Sequence, residues 1–155
     1  AGGGVITMAE ISLQISGLTT TQIGGLNTTA FGQISSLQLT GLTTTQLKAI
    51  TTANFVTITT SQINGLTSTQ LGGLASTQIG AISATGFPGL TSGQLSGLTT
   101  TEIKGISTTN MALFTTSQLD GFSTTQLRGF TQTQVNAFTT TLISEMTTTQ
   151  LSALI

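Results

Sequence analysis

The chain has 155 residues, enough for one ordinary globular domain, yet only 5% of them are charged and 5% aromatic. Three Lys/Arg (Lys48, Lys104, Arg128) and four Asp/Glu (Glu10, Glu102, Asp120, Glu145) leave a net charge of -1, so there is no basic patch to attract nucleic acid. Histidine and cysteine are absent, which excludes disulfides, thiolate metal sites and His-based triads, while 37% hydrophobic residues supply material for a core.

The segment 1–14 is degenerate, with Glu10 standing where the rest of the chain carries an apolar residue. The opening "AGGGVITMAE" has neither the basic region nor the apolar stretch of a signal peptide, and its initial Ala suggests a processed chain or a fragment. No apolar run approaches the length needed to span a bilayer, so no membrane span is expected.

From Ile15 onward the sequence repeats every eight residues without insertion, as "SGLTTTQIGGLNTTAFGQISSLQLTGLTTTQLKAI" (Ser16 to Ile50) illustrates. Position 1 of the octad begins at Ile15, Ile23 and Phe31 and runs to Leu151, and it is apolar in every copy. Position 4, from Leu18 to Leu154, is equally strict. Position 3 is Gly or Ala in 14 of 18 octads, position 5 is Ser, Thr or Asn in 16 of 17, and position 8 is Gln or Glu in 12 of 17. Position 2 accepts Lys48, Pro88, Lys104, Asp120 and Arg128, which marks it as the solvent-facing site.

A continuous helix is excluded, because eight residues at about 100° each would rotate the apolar stripe by roughly 80° per octad. A continuous strand would send positions 1 and 4 to opposite faces. The chain must therefore bend once per octad. The bend is written in Thr19-Thr20-Thr21-Gln22, which fits the capping box Ser/Thr-x-x-Glu/Gln, with Leu18 and Ile23 at the two positions of a hydrophobic staple. This predicts a mainly α repeat solenoid over 15–155, with one short capped helix per octad, from position 6 to about position 3, winding into a superhelix. The competing fold is a β-solenoid, favoured by Thr and Ile propensity and by Asn/Gln laddering. The Gln/Glu preference three residues after a hydroxyl has no reason to exist in a strand.

A slower period overlies the octad. The octads beginning at Phe31, Phe55, Phe87, Met111 and Ile143 follow Ala30, Asn54, Gly86, Asn110 and Leu142, which alter the capping box. Thus "LTGLTTTQLKAITTANF" (Leu39 to Phe55) recurs as "LSGLTTTEIKGISTTNM" (Leu95 to Met111), a 56-residue superrepeat of seven octads. A superhelix of about 3.5 octads per turn would bring these exceptions to one side, as a contact face. Phe114, Phe122, Phe130 and Phe138, all at position 4, read as core, and Asp120 and Arg128 as a surface pair of little energetic weight.

No catalytic, cofactor-binding or metal-binding residue emerges: the four carboxylates are scattered and no G-x-x-x-x-G-K-[ST] phosphate loop is present. An enzyme, a cofactor and a small-molecule substrate are not expected. The segments "LTTTQIGGL", "LTTTQLKAI" and "LTSTQLGGL" resemble the Leu-Thr-Thr-x-Gln-Leu-x-Gly octapeptide repeats of large bacterial secreted or cell-surface proteins. That resemblance covers nearly the whole chain and implies an extracellular structural or adhesive role; it carries over no functional residues. The expectation is a secreted structural protein that assembles with copies of itself into filaments or a surface scaffold, because the chain stops in mid-octad at "SALI" and an uncapped solenoid end stacks on another copy. The alternative is an ice-binding or surface-adhesion module using the Thr-x-Thr pairs (Thr19 and Thr21, Thr43 and Thr45, Thr99 and Thr101, Thr147 and Thr149).

Overall fold

The computed structural model describes residues 15–155; the degenerate segment 1–14, with Glu10, lies outside the described residues. Every octad does start a helix at position 6, from Thr20–Gly24, Thr28–Gly32 and Ser36–Thr40 through to Thr148–Ala153, with one exception. No helix starts at the position 6 residue Ala84, and the 3-10 turn Phe87–Gly89, which contains Pro88, takes its place, as expected where the ring removes a donor. There is no strand among the described residues, so the β-solenoid is excluded. Each helix has four to six residues, too few to persist alone.

The helix starts obey the capping chemistry. In Thr44–Lys48 the N-cap Thr43 is extended (φ -72°, ψ 161°), its hydroxyl accepts from Gln46 N at 3.2 Å, and Gln46 Oε1 accepts from Thr43 N at 2.9 Å. The altered octads keep the first half of this exchange: Ala30 N donates to Asn27 Oδ1 at 2.8 Å, Asn110 N to Ser107 Oγ at 3.2 Å and Leu142 N to Thr139 Oγ1 at 3.2 Å. Ala75, which has no hydroxyl, keeps the other half, donating its amide to Gln78 Oε1 at 2.9 Å.

Burial of two apolar rows holds the helices together. Position 1 is buried from Ile15 to Leu127 and position 4 from Leu26 to Met146, in one continuous cluster. Each fully buried Leu, Ile or Phe contributes roughly 1.5–3 kcal/mol before entropy is set against it. In the C-terminal half the position 4 row becomes aromatic, and Phe114 meets Phe87, Phe130 and Phe138 edge-on at centroid distances of 5.0, 6.1 and 5.8 Å. Every residue other than Gly at position 2 is exposed, Lys48, Lys104 and Arg128 included.

Helices pack on those that start three octads later, for example Thr20–Gly24 on Thr44–Lys48 and Ser76–Ala81 on Thr100–Gly105. Position 3 glycines make this close. A Cβ on Gly65 would stand 2.3 Å from the carbonyl oxygen of Ser36, and one on Gly97 would stand 2.2 Å from that of Ser68. The same register pairs Ser76 with Gly105 and Ser92 with Gly121, whereas every Ala at position 3 is paired with Thr: Ala49 with Thr20, Ala81 with Thr52, Ala137 with Thr108 and Ala153 with Thr124. The closest approach thus goes with the smallest pair of side chains.

Candidate functional site

The chemistry that recurs most often in this chain lies at position 8. There a glutamine is held at the third residue of its helix by the capping box, which occupies only its Oε1. The Nε2 group points the other way, into the layer beneath. Gln70 Nε2 donates to the carbonyls of Leu39, Thr40 and Leu42 at 3.1, 3.0 and 2.7 Å, and Gln78 Nε2 to those of Leu47, Lys48 and Ile50 at 2.9, 3.2 and 2.8 Å. Gln46, Gln62, Gln94, Gln118, Gln126 and Gln134 repeat the contact, always reaching the position 4 carbonyl 28 residues earlier. Those carbonyls lie at the bend, where no helical amide uses them.

One primary amide therefore closes its own helix cap and bonds a second layer. Gln62, Gln70, Gln78, Gln94, Gln118 and Gln134 are buried, which is acceptable only because both ends of the amide are satisfied. The Asn residues of the altered octads are too short for both tasks. Asn54 and Asn110 keep the bond to the layer below, with Nδ2 donating to Leu26 O at 2.9 Å and Ile82 O at 2.7 Å. The buried Asn110 Oδ1 is left with no hydrogen-bond partner.

The outer surface is a lattice of hydroxyls. Position 7 is exposed in every octad, from Thr21 to Thr149. Position 5 hydroxyls also serve the caps, that of Thr43 accepting from Gln46 N and that of Thr99 donating to Glu102, while both threonines stay exposed. Asp120 and Arg128 do not form the expected pair; Asp120 Oδ1 accepts from Gln150 Nε2 at 3.1 Å. Arg128 instead lines a shallow groove with Thr124, Thr148, Thr149, Ser152 and Ala153. Large apolar side chains break the polar surface at Leu37, Val56 and Leu113, the last two in altered octads.

Among the described residues there is no group of three or more acidic, His or Cys side chains, and no helix is long and apolar enough to cross a membrane. Sequence reasoning placed position 8 in the caps but missed its second bond. The signal was present. A capping box accepts Glu as readily as Gln, and a helix N-terminus favours the charge, yet position 8 holds 11 Gln and 1 Glu. That imbalance marks a needed donor. No family model, no curated protein and no solved structure matches this chain.

Proposed function

We propose that this chain is a non-catalytic structural element, a superhelical rod of about 3.5 octads per turn that associates with further copies into filaments or a scaffold outside the cell. The observation that carries the reading is the position 8 bond spanning 28 residues, which is 3.5 octads of eight. Such a unit extends by repetition alone, and a short-range energy between neighbouring layers is what a repeat array uses in place of a closed core. The extracellular setting rests on the resemblance of the octads to those of secreted and surface proteins and on a Thr-rich, nearly uncharged exterior.

Sedimentation velocity over a concentration series, with negative-stain microscopy of the same samples, tests the assembly. Elongated oligomers that grow with concentration are expected; a monomer that persists at high concentration sinks it. The exposed position 7 hydroxyls favour a second reading, an ice-binding or surface-adhesion module. Thermal hysteresis in a freezing assay would support that reading over the scaffold, and its absence removes ice from consideration.

A further inference from the structure

The position 8 slot selects an amide because acceptors line it, and at Glu102 the slot holds an acceptor instead. Glu102 is only 8% exposed. Its Oε2 takes the part that Oε1 plays in a glutamine, accepting from Thr99 N at 2.9 Å and from the Thr99 hydroxyl. Oε1 is then on the branch that elsewhere carries Nε2, and no protein group among the described residues donates to it. The register of Gln70, Gln78 and Gln126, which reach carbonyls 31, 30 and 28 residues back, assigns Leu71, Gly72 and Leu74 to this slot. Leu71 O already takes the Leu74 amide at 3.2 Å, and Leu74 O accepts no backbone amide. By this register one carboxylate oxygen of Glu102 shares the slot with three carbonyl oxygens, and no protein group among the described residues supplies a proton between them.

We propose that this slot binds a monovalent alkali cation, sodium or potassium, between Glu102 Oε1 and the carbonyls of Leu71, Gly72 and Leu74. Hard cations take oxygen ligands of this kind. The single carboxylate balances a single charge, whereas a divalent ion would leave an uncompensated charge in a mostly buried position. The ion joins the layers there as Gln Nε2 joins them elsewhere. Lys104 is two residues away but sits exposed at position 2, outside the slot.

Urea unfolding of the whole chain, followed by far-UV circular dichroism in sodium, potassium or choline chloride at equal ionic strength and neutral pH, tests the site. Wild type is expected to gain stability from sodium or potassium, its unfolding constant falling about tenfold at a cation concentration nine times the dissociation constant. Glu102→Gln restores the donor and the repeat's own residue; it should fold, show no difference among the salts, and exceed wild type in choline. Lys104→Gln should keep the cation response. Indifference of wild type to the cation, or an equal response in Glu102→Gln, overturns the proposal. A wild type stabilised in choline by acid alone would identify a proton as the occupant, and a lost response in Lys104→Gln would identify that ammonium; either result also overturns the site.

Discussion

Gln70→Glu separates the two roles of position 8, because the substitution keeps the capping acceptor and the side-chain shape while removing the donor. If the cap were the whole of its role, the added negative charge at a helix start would be neutral or stabilising by about 0.3–1 kcal/mol. The geometry predicts the opposite sign. Leu42 O and Thr40 O lose the Gln70 amide at 2.7 and 3.0 Å, and Leu39 O keeps only the Leu42 amide at 3.1 Å. Two stranded acceptors in a largely buried slot, at roughly 1–3 kcal/mol each with some relief from water, put the loss at about 2–4 kcal/mol. Urea unfolding in choline chloride, which keeps the alkali ions away from the new carboxylate, measures it. A variant as stable as wild type would refute the interlayer role of the amide.

Leu47→Ala should cost about 2–5 kcal/mol as a core truncation, whereas Lys48→Ala, one residue on and exposed, should stay within about 0.5 kcal/mol; equal losses would mean that inside and outside are misassigned. Gly97→Ala forces a Cβ to 2.2 Å from Ser68 O and should destabilise by about 1–3 kcal/mol. Gly93→Ala, in the helix Ser92–Leu95 with its nearest neighbour at 3.9 Å, should stabilise by about 0.5–1 kcal/mol. Thermal unfolding of the two glycine variants side by side reads the difference, and the same sign for both would contradict the layer spacing.

The helix starts were legible because a capping box is local: Thr43 and Gln46 lie three residues apart and satisfy each other whatever surrounds them. The buried rows were legible because the octad fixes which side chains share a face. Contacts across layers were harder to read. The bonds from Gln46 to the Ser16 and Leu18 carbonyls span 30 and 28 residues, and neither acceptor carries a side-chain signal, since every residue offers a carbonyl. Pooling Gln with Glu at position 8 concealed the donor, and with it the distinctness of Glu102. Asp120 and Arg128 misled for a similar reason: equivalence along the repeat is not proximity, and the amide of Gln150 comes from another layer.

The interlayer bond spans three and a half octads, as from Gln70 to Leu42, so it is out of phase with the repeat by half an octad. That offset is what makes the bond possible. Residues so spaced differ by four octad positions, and a position 8 amide therefore meets a position 4 carbonyl at a bend. At a spacing of three or four whole octads, amide would lie over amide. An insertion between Gln62 and Ile63 exploits this. Adding one octad copied from Leu71 to Gln78 would deliver the original Gln70 and Gln78 onto Ile50 and Ile58, both position 4 residues, and preserve the pattern. Adding half an octad, if the spacing persisted, would deliver them onto Gln46 and Asn54, donor against donor, or else force the inserted residues out as a bulge. The octad insertion should therefore keep or raise the urea midpoint and add helical signal, while the half-octad insertion should lower the midpoint by an amount comparable to Gln70→Glu. Equal losses from the two insertions would show that the half-octad offset does not govern the packing.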